Sequence, residues 1–130
     1  MISFYLDGSS GLPTYLQLVR QVEHAVRLGR LERGDQLPSV RDVVASLAIN
    51  PNTVVKAYRD LEARGLVARR QGLGTFVAAG PGSRPTAGDA GLRRELARWL
   101  TEAAAAGLGR EDVVALFESA VRDTFAEGAA

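Results

Sequence analysis

LPSVRDVVASLAINPNTVVKAYRDLEARGLVARRQGLGTFV, residues Leu37 to Val77, decides how this chain folds. Pro38 stops any earlier helix, and Ser39 is a good N-cap because its hydroxyl accepts from a backbone N–H a turn later. The spacing predicts a helix to about Leu47 that buries Val40, Val43, Val44 and Leu47. Asn50-Pro51 breaks it, and Asn52 is the expected cap of the next helix, Thr53 to Arg64. Val54, Ala57, Tyr58 and Leu61 recur at helical spacing as the buried stripe of that helix. Gly65 stands where a left-handed residue commonly ends a helix. Leu66–Gln71 and Thr75–Ala78 then read as two short strands around Gly72-Leu73-Gly74, a turn in which glycine supplies positive φ.

A helix that enters a DNA major groove presents its first turn while its far face stays anchored in a core. The buried stripe leaves Asn52, Thr53, Lys56, Arg59 and Asp60 pointing outward. Asn bonds adenine bidentately, Thr meets a thymine methyl or a phosphate, and Lys reaches guanine or phosphate. Ser39 and Arg41, opening the preceding helix, offer donors to phosphates or a base edge. Arg69 and Arg70 on the first strand, with Gly72 at the tip, let the hairpin approach the backbone closely. Plainer readings stand beside these. Ser39 is a cap in its own right, and Arg41 an ordinary surface charge. Arg69-Arg70 is a strand edge whose charge discourages aggregation, and Gly72 and Gly74 are hairpin geometry. Tyr58, at core spacing, is read as packing. What carries weight is the order: capped helix, Asn-Pro turn, polar-fronted helix, basic hairpin.

Upstream, Ile2 to Leu6 reads as an edge strand ending in the turn-rich cluster Asp7–Gly11. Pro13 suits a first helical turn, and Leu16, Val19, Val22 and Val26 form one apolar stripe up to Leu28-Gly29. Downstream, residues 79–91 read as a linker. Leu92, Leu96, Trp99, Leu100 and Ala103 define a fourth helix, Gly107 to Gly109 punctuate, and Val113, Val114, Phe117, Ala120, Val121 and Phe125 define a fifth. The expected architecture is α+β and mainly α. It comprises an N-terminal winged helix-turn-helix at 1–78, the linker, and a two-helix dimerisation tail at 92–127. Two amphipathic helices do not bury both apolar faces alone, and packing on a second copy is the economical solution. Leu92, Leu96, Trp99, Leu100, Val113, Phe117, Val121 and Phe125 are the expected interface. The alternative is that these helices fold back on their own winged domain.

Composition narrows the function classes. The chain has 130 residues, 46% of them hydrophobic and 24% charged, which suits a protein with a buried core. No apolar run approaches the roughly 18 residues of a membrane span. The N-terminal residues lack the basic and apolar regions of a signal peptide. Without cysteine there is no disulfide and no thiolate metal site, which favours a cytoplasmic location. His24 is the single histidine, so a metal site lacks its usual donors. Glu111-Asp112 suits a helix N-terminus better than a catalytic pair, and residues 72–74 lack the lysine of a phosphate loop. No enzyme activity, cofactor or metal is expected. Net charge is +1, yet residues 1–80 carry ten Lys/Arg against seven Asp/Glu, so the basic excess lies with the helix-turn-helix.

Residues 2–78 resemble the winged helix-turn-helix of GntR-type bacterial transcription regulators, especially the short YtrA-like subfamily. The resemblance runs through Asp7 and Ser9, Leu12-Pro13-Thr14-Tyr15, and Gly34-Asp35-Gln36-Leu37-Pro38-Ser39-Val40-Arg41. It continues through Asn50-Pro51-Asn52-Thr53-Val54, Lys56-Ala57-Tyr58, Leu61-Glu62 and Gly65 to Gly72 and Gly74-Thr75-Phe76-Val77. It implies a homodimer on a pseudo-palindromic operator, usually as a repressor. It places DNA contacts on Arg41, Asn50, Asn52, Thr53, Lys56 and Gly72, with Ser39 beside them; the reading of the hairpin adds Arg69, Arg70 and Thr75 to the expected contact set. Two positions depart from the pattern. Leu73 stands where the wing commonly carries a basic residue, and Val43-Val44 where Leu-Ala is frequent. The tail is too short for the ligand-enclosing domain of larger members, and no small-molecule effector is named by the sequence. A winged helix used for protein–protein contact is the second reading. Salt dependence separates the two, since phosphate contacts weaken steeply with salt.

Overall fold

The computed structural model describes residues 2–79 and 89–126. The elements are α1 (Thr14–Arg27), α2 (Val40–Leu47), α3 (Pro51–Ala63), β1 (Val67–Arg70), β2 (Gly74–Val77), α4 (Asp89–Ala105) and α5 (Arg110–Thr124). They belong to two compact units that divide between residues 86 and 87.

The first unit is the expected winged helix. Its core gathers Leu18, Val19, Val22 and Val26 from α1, Val43 from α2, and Val54, Ala57, Tyr58 and Leu61 from α3. Leu31, Leu37, Val67 and Val77 complete it from the loop and the hairpin. The predicted stripe of α3 is buried at all four positions. In α2 only Val43 is fully buried, while Val40, Val44 and Leu47 pack partly against the core. The stripe of α1 differs from expectation: Leu18 is buried and Leu16 is half-exposed. Leu18, Val22 and Val26 form one i, i+4, i+8 row, and Leu16 lies off it.

Tyr58 joins two elements at the centre of this core. Its hydroxyl donates to the carbonyl oxygen of Pro38 at 2.7 Å, in a buried position. The bond ties the middle of α3 to the turn that launches α2. Burial, and next to it the Asp42 carboxylate, push the hydroxyl well above its ordinary value of 10.0. At the C-terminal end of α3, Arg64 bonds Asp60 at 2.8 Å and Glu23 of α1 at 2.9 Å. Such exposed pairs contribute little individually.

The N-terminal arm corrects an expectation. Residues 2–6 are not a strand; their backbone pairs with glutamine side chains of α1. Tyr5 N–H donates to Gln21 Oε1 at 3.1 Å, and Gln21 Nε2 donates back to the Tyr5 carbonyl at 2.8 Å. Gln17 repeats the exchange with Asp7, at 2.8 and 3.1 Å. A primary amide carries the same donor and acceptor as a peptide group. Two glutamines four residues apart therefore replace a neighbouring strand, and Ile2 and Phe4 reach the core.

The hairpin pairs Val67 with Val77, Ala68 with Phe76, Arg69 with Thr75 and Arg70 with Gly74. β1 is one residue shorter at each end than the expected Leu66–Gln71, β2 starts and ends one residue before the expected Thr75–Ala78, and the hairpin has a partner the sequence did not announce. Leu37 N–H donates to the Thr75 carbonyl, Val77 N–H to Asp35, and Gly34 N–H to Val77, each at 2.8 Å. A bridge between Gln36 and Phe76 completes this third line of backbone.

In the second unit, α4 already includes residues 89–91 of the expected linker; residues 80–88 lie outside the described ones. Gly107, at φ 95°, ends α4, and the Asp112 carboxylate accepts from Gly109 N–H at 2.9 Å to open α5. Phe125 is the C-cap residue of α5 rather than part of it. Among the described residues of this unit no side chain is fully buried. No described helix is long and apolar enough to cross a membrane.

Replacing Tyr58 with Phe leaves the buried Pro38 carbonyl without its donor and is expected to cost about 1–3 kcal/mol in urea unfolding. The native chain binds its phenolic proton more tightly folded than unfolded. Its stability is therefore complete below about pH 10 and falls as pH rises past it, and the Tyr58→Phe curve is flatter there.

Candidate nucleic-acid interface

The recognition surface begins with how α3 starts. Asn50, not Asn52, is the cap: its Oδ1 accepts from Asn52 N–H at 2.8 Å, and Pro51 takes the first helical position. Proline is at no disadvantage there because that N–H has no helical partner. The correction moves Asn52 into the first turn of the helix, with its side chain exposed. Asn50 and Lys56 are also exposed, and Thr53 is half-buried. Asn52, Lys56 and Arg59 stand at i, i+4 and i+7, one face of the helix.

Ser39 caps α2 as expected, its Oγ accepting from Asp42 N–H at 3.1 Å. Arg41 follows on the exposed side of the first turn. Lys56 is held: its Nζ lies 4.1 Å from the centroid of the Tyr15 ring. A cation over an aromatic face gains on the order of 0.5–1 kcal/mol at an exposed site, enough to favour one orientation of a long side chain.

Alternation along β1 places its two arginines on opposite faces. Arg69 shares a face with Thr75 and lines a groove against α3. Arg70 lies on the other face, its guanidinium 5.0 Å from the Phe76 ring centroid. The tip is exposed at Gly72 and at Leu73, the latter 65% accessible and apolar. Gln36 braces it from outside the hairpin, Nε2 donating to the Leu73 carbonyl at 3.0 Å. Gly74, at φ 126°, is needed twice over. The backbone there is one that side chains rarely adopt, and a Cβ would stand 2.7 Å from Gln36 Nε2.

Gln36 and Tyr15 were not singled out from the residues. Each acts through a neighbour distant in sequence, and no local periodicity marks such a partner. Among the described residues, Arg41, Lys56, Arg59, Arg69 and Arg70 form no ion pair. No group of three or more His, Asp or Glu among them is arranged to hold a metal ion.

Comparison with known proteins gives this surface a context. The family model for bacterial regulatory proteins of the GntR family matches residues 14–77. The HTH-type transcriptional regulator Rv1152 of Mycobacterium tuberculosis is 37% identical over 109 residues, covering 84% of this chain and 86% of its own length. The chain belongs to the GntR family. The HTH-type transcriptional repressor YtrA of Bacillus subtilis is 38% identical over 73 residues, 56% of either protein. The chain thus matches little more than half the length of that relative. Among solved structures, a transcriptional antiterminator from Listeria monocytogenes superposes with a TM-score of 0.60 at 28% identity, covering 94% of this chain and 92% of that one. The DNA-binding domain of AraR in complex with operator ORX1 superposes with a TM-score of 0.51 at 26% identity, over 59% of this chain and 96% of that one.

Gly74→Ala is expected to lower the unfolding free energy by roughly 1–3 kcal/mol, from backbone strain at that φ. In thermal melts, adding Gln36→Ala is not expected to recover the loss, since the strain remains and the Leu73 carbonyl loses its donor.

Proposed function

We propose that the chain is a transcriptional repressor that binds a pseudo-palindromic operator as a homodimer. In this reading α3 enters the major groove and the β1–β2 hairpin lies on the flanking backbone or minor groove. The observation that carries it is the capped, polar-fronted start of α3, accompanied by Arg41, Lys56 and Arg59, none of which forms an ion pair among the described residues. Relatives add weight, since one is a named repressor and the AraR domain was solved on its operator. The contact set is Ser39, Arg41, Asn50, Asn52, Thr53, Lys56, Arg69, Arg70, Gly72 and Thr75, working in the cytoplasm without cofactor or metal.

The tail supports the dimer. Leu92 is 65% accessible and Phe117 48%, and Leu96, Leu100, Val121 and Phe125 are exposed as well. Trp99 and Val113 are half-covered. Burying the apolar area they still expose contributes roughly 25 cal/mol per Å², and a second copy of the same helices offers the matching surface.

Selection of genomic fragments by the purified protein is expected to return one operator with two half-sites. On that duplex, Arg41→Ala or Lys56→Ala is expected to cost about 1–3 kcal/mol in a titration if either side chain reads a base. Unchanged affinity for both removes those roles. Leu96→Asp combined with Phe117→Asp is expected to sediment as a folded monomer; a persistent dimer removes the tail from the interface.

A further inference from the structure

Between α3 and the wing runs a groove of about 300 Å³. Pro38, Tyr58 and Val67, all buried, lie at its base, where the core comes to the surface. Its walls mix apolar side chains, Val40, Val55 and Leu73 among them, with polar ones from separate segments: Ser39 before α2, Arg59 and Glu62 on α3, Arg69 and Thr75 on the hairpin. Arg59 and Arg69 are both exposed, and among the described residues neither has an ion-pair partner. Two guanidinium groups lining one cleft concentrate positive charge there, which suits an anion. Arg59 also continues the helix face of Asn52 and Lys56 by one turn, so an anion held here borders the surface those residues present. Glu62, three residues further along, brings a carboxylate to the same wall.

We infer that this groove seats the phosphate strand bordering the major groove entered by α3, with Arg59 a further DNA-contacting residue facing Arg69 across it. Glu62 limits the seat, because its carboxylate repels a strand displaced toward the C-terminal end of the helix. The inference rests on the DNA-binding reading above and assigns it a contact that reads no base. Guanidinium is well suited to the task, since its planar fork of donors matches a phosphate.

The test uses the full chain and a labelled duplex of about 24 base pairs of arbitrary sequence, titrated by fluorescence anisotropy over a series of salt concentrations. Each phosphate contact contributes roughly 0.9 to the slope of log affinity against log salt. Arg59→Ala is expected to reduce the slope by about that amount with an unchanged melting temperature, and Arg59→Lys to retain it. Glu62→Gln is expected to tighten binding severalfold at fixed salt. Two results overturn the assignment of Arg59: a wild-type slope for Arg59→Ala while Lys56→Ala weakens binding, or an Arg59→Ala loss that tracks a lowered melting temperature and is not rescued by lysine. A native chain that binds no duplex at any salt overturns the DNA reading and this one with it.

Discussion

The hydrogen bond from the Tyr58 hydroxyl to the Pro38 carbonyl is the constraint on which the reading surface depends. It sits where α3 crosses the turn into α2, flanked by Val54, Ala57 and Leu61 in the shared core. Apolar packing is non-directional and tolerates sliding. A buried bond between a fixed ring and a fixed carbonyl does not, because an unpaired carbonyl there costs about 1–3 kcal/mol. The bond therefore holds the two helices in one relation, and Arg41 on one is carried in fixed relation to Asn52 and Lys56 on the other.

The wing is built in the same way, from outside itself. A two-stranded hairpin is marginal in water. Here residues 34–37 give it a third line of backbone, through Leu37 to Thr75 and Asp35 to Val77. Gln36 reaches along that line to the tip, and Gly74 leaves room for its amide. The segment that braces the wing runs directly into Pro38 and Ser39, which start α2. One short stretch thus sets the positions of hairpin and helix together. This gives the α3–wing groove, with Arg59 and Arg69 on its walls, a defined width.

The tail follows a different logic. Its helices start and stop by local signals, Asp112 at one end and Gly107 at another. Yet among the described residues of this unit none is fully buried. Helices of this kind draw most of their stability from tertiary packing of the apolar face. The homodimer proposed above gives the apolar faces of these two helices a surface to pack on.

Much was legible in the residues because it depends on near neighbours. The α3 stripe, the Ser39 cap, Gly65 after the helix and the hairpin around Gly72 all follow from spacing and turn chemistry within a few positions. The shift of the α3 cap from Asn52 to Asn50 was legible too, since proline at the first helical position places the cap just before it. What the chain alone did not disclose are pairings across long separations. Gln21 serves as a strand for Tyr5, Gln36 for the wing tip, and Tyr15 as a platform for Lys56. The division of Arg69 and Arg70 between two faces follows from the hairpin pleat, but which face meets α3 does not. Sequence by itself determined the elements and the polar front of the recognition helix, because local backbone preference and periodicity decide those, and it gave the family through the resemblance of its motifs. Only the tertiary structure decided which side chains hold that front in place, because a hydrogen bond or ring contact is chosen by proximity in space.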